Sequence, residues 1–189
     1  MKLLLLFFLL GFSDFSTLPA SDANAKFSQN DLYVLREKSI IRGHYKDVAS
    51  QFNGALLSSA RTTSFWESGI DNSPLRNLLY YSPNYLVIGH VVARLSESII
   101  VQFLQAYEIN TVRFWMWDGD TRQTDIQVFT IAKDGQTENI IFDGFTQPTI
   151  MVVKFSDQLA SGLRFYNRGG NTIGTQYMSI IKIQAFYAF

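Results

Sequence analysis

From residue 85 to residue 187 the chain is a series of short segments in which apolar and polar residues alternate, each closed by turn residues. That pattern constrains the fold more than any other feature. The segments cover residues 85–94, 98–104, 108–117, 124–132, 138–142, 149–155, 162–166 and 176–187. A period of two sends one side of each segment into a core and the other to solvent. Turn pairs stand at Asp118-Gly119, Asp134-Gly135, Asp143-Gly144 and Gly169-Gly170, the last reading as a turn or bulge that needs a positive φ. Connections this short leave no room for the helical crossovers of a parallel sheet, so the expected fold is all-β, an antiparallel β-sandwich or jelly roll. Nothing repeats with a period of about 20 to 50 residues, which argues against a solenoid or propeller. In the last segment Ile181, Ile183, Ala185 and Tyr187 share one face, and Ile180, Lys182, Gln184 and Phe186 the other. So apolar a strand belongs inside a sheet, with the N-terminal segment beside it, because an exposed apolar edge would recruit other chains.

With 189 residues, 47% of them hydrophobic, the chain can bury one ordinary core. Sixteen basic residues balance sixteen acidic ones. No clustered positive charge is available to replace the counterions of a nucleic acid or to hold an anionic membrane surface. The absence of cysteine removes disulfides, thiolate metal sites and thiol catalysis, so packing alone must hold the fold. There is also no Asn-x-Ser/Thr sequon.

Residues 1–25 read as a secretory signal peptide. Lys2 is the positive start, residues 3–12 are an apolar run too short to span a bilayer, and Ala23-Asn24-Ala25 is a small-x-small cleavage pattern. The folded domain is then 26–189, exported, with an intracellular or organellar assembly as the alternative home. Residues 26–53 are expected to form a short N-terminal helix or strand packed on the sandwich. Residues 54–83 are rich in Ser, Asn and Gly but carry Phe65-Trp66, a composition that suits a binding loop.

The segment VRFWMWDGDTR, residues 112–122, concentrates the chemistry. Val112, Phe114 and Met116 fall on one side, and Arg113, Trp115 and Trp117 on the other, where cover by the N-terminal segment is expected. Asp118, Asp120 and Arg122 follow on a short turn. A structural role, in which Arg122 pairs with one of the two carboxylates and closes the turn, outweighs recognition of a polar ligand, and calcium binding ranks below both because few further oxygen ligands are at hand. His44 and His90 are isolated from one another and from any cysteine, the pattern of hydrogen-bonded or surface residues more than of ligands or bases. No nucleophile elbow, zinc-binding helix motif or phosphate loop is present.

The same segment resembles the I-R-x-x-x-W-D-x-D-x-R stretch of discoidin (F5/8 type C) domains, in the version that follows the BTB and BACK domains of BTB-domain-containing protein 9. The likeness continues through residues 126–128, Lys133-Asp134-Gly135, Arg164-Phe165-Tyr166, Gly170-Asn171, Ile181-Lys182-Ile183 and Ala185-Phe186. It implies a galactose-binding-like sandwich whose inter-strand loops form a ligand-binding end. Phe65 and Trp66 would stand in one such loop and Asp118, Asp120 and Arg122 in another. The membrane-inserting apolar spikes of the blood-coagulation branch are absent from the 118–122 turn, so no membrane insertion by the mature domain is expected. The resulting expectation is a non-enzymatic module, without catalytic residues, cofactor or metal. It would bind a carbohydrate or protein surface; the alternative is a structural subunit of a larger assembly.

Overall fold

The protein's structure, a computed structural model, describes residues 28–57, 73–76 and 90–189. Phe65, Trp66, the signal segment and residues 85–89 lie outside the described residues. One helix, α1 (Gln29–Ile41), precedes two single 3-10 turns and the strands β1 (Leu56–Leu57), β2 (Val91–Arg94), β3 (Ser98–Met116), β4 (Thr124–Ala132), β5 (Glu138–Thr146), β6 (Ile150–Asn171) and β7 (Tyr177–Phe186). Every ladder is antiparallel, in the order β2-β7-β3-β6-β4-β5, with β1 also on β3.

This continuous sheet folds back on itself into an all-β sandwich. Ile99 and Phe114 lie on the same strand, fifteen residues apart, and pair with Phe165 and Met151 of β6. In a straight ladder they would be separated by about 50 Å at ~3.3 Å per residue. Instead the Phe114 and Phe165 rings meet edge to face with centroids 5.3 Å apart, both fully buried. The bend falls where β3 advances from Gln102 to Tyr107 while β6 moves only from Gly162 to Ala160, a bulge that leaves Leu104 exposed. Two pairs of expected segments, 98–104 with 108–117 and 149–155 with 162–166, are therefore two long strands. Breaks in their alternation mark bends in a ladder, and no chain reversal takes place there.

The alternation itself holds where it was clearest. Val112, Phe114 and Met116 are buried, and Arg113 is exposed on the opposite face. Gly170 sits at φ +73° in a bulge of β6, as the Gly-Gly pair suggests. Asp143-Gly144, in contrast, makes no turn. Both residues pair with β4, and the reversal comes at residues 147–149, where Pro148 has no N–H to extend the ladder.

Strand β7 lies between β2 and β3, inside the sheet, as its two apolar faces require. Below the short β2, two segments close its free edge. Val48 N donates to Ala185 O at 2.8 Å, and Ile183 N donates to Pro74 O at 2.9 Å. Helix α1 departs from expectation: every residue from Ser28 to Lys38 is exposed, so the helix does not pack on the sandwich. Its apolar residues are spread around the helix between charged ones and offer no single face to bury.

Candidate ligand-binding end

β3 ends in the turn at 118–122, and its last two outward tryptophans stand beside the aspartates of that turn. Trp115 Nε1 donates to Asp118 Oδ2 at 3.0 Å, and the Trp117 indole lies close enough to Asp120 to help lower its carboxyl. Indole N–H groups are donors only, so the carboxylate of Asp118 fixes which way the Trp115 ring turns. Asp120 is held again from the other side. Arg122 N donates to its Oδ1 at 3.0 Å, Arg122 Nε reaches Oδ1 at 2.8 Å, and Nη2 makes a close ion pair with Oδ2. The guanidinium holds the Asp120 carboxyl below the usual carboxylate range.

Trp117 lies flat against its own turn. A Cβ added to Gly119 would stand 2.6 Å from the indole Cζ2, so the glycine is there to admit the ring, at a φ that any residue could adopt. The indole also meets buried His90, with ring centroids 4.4 Å apart. These contacts come from the turn and from His90, whereas the sequence leads one to expect cover by the N-terminal segment, residues 26–53.

The turn shares its end of the sandwich with two other connections. Thr172 N donates to Gln123 O at 2.9 Å, Gln123 N to Thr172 Oγ1 at 3.0 Å, and Gln123 Nε2 to Gln147 Oε1 at 3.1 Å. Met116 N donates to Thr149 O at 3.1 Å. Gln123, Gln147 and Thr172 were not singled out from the sequence, since each stands in a different connection and only the sandwich brings them together. Asp118, Asp120 and Arg122 do converge, but with divided tasks. Asp120 and Arg122 face one another and shape the turn. Asp118 is exposed and spends one oxygen on Trp115, leaving the other to accept from a ligand hydroxyl or amide. The two carboxylates are thus committed to different partners.

No family model matches the chain, and no curated protein matches it. Solved structures do. One is CBM32-1 from a family 31 glycoside hydrolase of Clostridium perfringens, with TM-score 0.53 and 8% identity, covering 76% of this chain and 99% of that one. A second is a pectin-binding carbohydrate-binding module, with TM-score 0.51 and 13% identity, covering 71% of this chain and 94% of that one. A third is chitosan-binding module 1 from a chitosanase/glucanase of Paenibacillus sp. IK-5, with TM-score 0.52 and 14% identity, over 74% and 98% of the two chains. This chain has the fold of a carbohydrate-binding module. CBM32 modules carry the galactose-binding-like, discoidin-type sandwich, so the resemblance seen in the sequence holds for the fold.

Proposed function

We propose that the chain is a non-enzymatic carbohydrate-binding module that takes its ligand at the end formed by the 118–122 turn. The observation that carries this is the pair of tryptophans beside the 118–122 turn, one of them pinned by the exposed Asp118 carboxylate. Fixed aromatic faces next to hydrogen-bonding groups suit the mixed apolar and hydroxylated surface of a sugar ring. Asp118 contacts the ligand, Trp117 offers ring surface, and Asp120 with Arg122 keeps the turn in shape. Phe65 and Trp66 belong to the same reading as loop aromatics. The shared fold with modules named for pectin and chitosan binding supports it. We hold the particular likeness to BTB-domain-containing protein 9 as a reading of descent, and export after cleavage before Lys26 as a reading of the first 25 residues. A docking subunit of a larger assembly is the second reading, favoured by the apolar residues that α1 leaves exposed.

A glycan array with the purified chain tests the proposal. Binding of a defined glycan class that drops about tenfold or more in Asp118→Ala, Trp117→Ala and Trp66→Ala, with melting unchanged, is the expected result. An array without signal, or signal indifferent to all three variants, rejects it.

A further inference from the structure

We infer that the outer face of β7, β3 and β6 beside Trp115 is a subsite for an acidic glycan, a polyuronate whose carboxylates pair with Arg113 and Lys154. This extends the carbohydrate reading of the 118–122 end and rests on it. The ladders fix which residues share the face. Trp115 stands opposite Ile150 of β6 and Lys182 of β7, Arg113 stands opposite Val152, and Lys154 follows one row further along β6. Val112, Phe114 and Val153 alternate with them and lie in the core, so these side chains leave the sheet on its outer side. The rows at Trp115, Arg113 and Thr111 carry three basic residues and no acidic one.

Arg113 and Lys154 are exposed, and neither makes an ion pair among the described residues. They are diagonal neighbours across the ladder, a separation of about 7–8 Å at which long side chains of like charge repel. Lys182 is different: it is buried, its ammonium bonds Arg76 O, and the Asp47 carboxyl lies near it. Two exposed cations are thus left without a counter-ion. On the outer face of the other layer the protein neutralises its own arginines, with Glu138 on Arg164 and both Asp125 and Asp143 on Arg168. The even balance of sixteen basic and sixteen acidic residues hides this difference between the two faces.

The rest of the face suits sugar rings. Val152 and Ile150 are 54% and 44% exposed on the open side of β6, which pairs with β4 only from Ala160 onward. Their methyl groups and the half-buried Trp115 indole offer seats for apolar ring faces, and a guanidinium takes a carboxylate through two parallel hydrogen bonds. The strip is continuous with the ligand-binding end, because Asp118 is bonded to Trp115. From Trp115 to the row of Lys154 it runs about 13 Å at ~3.3 Å per residue, longer than one sugar ring. Charge density decides the class of polyanion. A nucleic-acid strand carries one charge per ~3.4 Å and an anionic membrane is held by clusters of about four to eight cations, so two cations serve neither. A polyuronate carries one carboxylate per ring, which matches two cations that both adjoin the apolar Val152.

The test is isothermal titration calorimetry of the full chain against hexamers of galacturonate and of mannuronate, each beside its methyl ester, which keeps the rings and removes the charge. At least one acid should bind about tenfold tighter than its ester. The Arg113→Gln, Lys154→Gln double variant should abolish that preference with melting and ester binding unchanged, whereas Trp117→Ala should weaken acid and ester alike. Equal binding of acid and ester, an acid preference that survives the double variant, or heparin and single-stranded DNA bound as tightly as the polyuronates would each overturn the inference. Failure of both acids to bind, while a glycan from the array still binds through Trp117, overturns it too and leaves the carbohydrate reading standing. An array without signal overturns both.

Discussion

The two ends of this sandwich are both held by charged and aromatic side chains, but over very different distances along the chain. At the 118–122 end, Arg122 reaches back two residues to Asp120, and Trp115 reaches forward three to Asp118. At the opposite end, where α1 joins the sandwich, Arg42 binds Glu108, 66 residues on, and Asp47 accepts from the backbone of Ala185, 138 residues on. Tyr45, Tyr187 and Phe189 add a ring cluster with centroids 4.8 to 6.1 Å apart. A turn built from its neighbours folds once its strands are in place and leaves its outer surface open to a ligand. A joint built from distant partners ties the first described helix to the last strand, and its integrity depends on the whole sandwich.

The sharpest way to break that contrast is at Asp47. One oxygen, Oδ1, accepts from both Ala49 N and Ala185 N at 3.0 Å. Asp47→Ala strands two donors in a partly buried site and should cost about 2–4 kcal/mol, read by urea or thermal unfolding. Asp47→Asn keeps the accepting oxygen and should unfold close to the wild type. Equal losses from the two variants would show that the charge matters and the acceptor does not. At the other end, Arg122→Ala removes an ion pair whose side chains are 17% and 33% exposed, and should cost about 1 kcal/mol. A loss as large as that of Asp47→Ala would mean that the turn supports the sandwich and is no local device.

A smaller effect separates the ends by sign. Arg122 depresses the Asp120 carboxyl, so Asp120 contributes stability above the unfolded carboxylate value of about 3.9, and the contribution is lost as pH falls through the lower folded value. Asp47 is the reverse case. Burial raises its carboxyl despite the help of the Ala185 N–H and the nearby Lys182 ammonium. The folded state then holds its proton more tightly, and stability falls as pH rises from about 3.9 through the folded value. Melting curves between pH 2 and 6 should show Asp120→Asn flattening the acid-side loss and Asp47→Asn removing the opposing slope. Parallel curves for both variants would contradict this assignment.

The same difference in range explains what could be read in advance. The 118–122 turn was legible because its partners are adjacent: Asp, Asp and Arg within five residues suffice to suggest a closed turn, and the choice of Asp120 as the partner of Arg122 needed only geometry. The pairing of Trp115 with the aspartate three residues on was present in the string W-x-W-D-x-D but invisible until the outward direction of the ring was known. Nothing near Asp47 or Lys182 marks them as residues that pack against the far end of the chain.

By itself the sequence determined that this protein is an antiparallel β-sandwich, which of its residues face the core, and that its last strand lies inside a sheet. Period-two alternation and burial are local properties, repeated strand after strand, and no tertiary detail is needed to reverse them. Tertiary structure alone decided that β3 and β6 each run through both layers, that Asp143-Gly144 continues a strand, and that α1 stands clear of the sandwich. Each of these depends on a neighbour distant in the chain. A bulge becomes a bend only when the opposite layer is there to receive it, and a helix finds no seat when its apolar residues point in several directions and the free edge of β7 is already taken by residues 47–49 and 73–76.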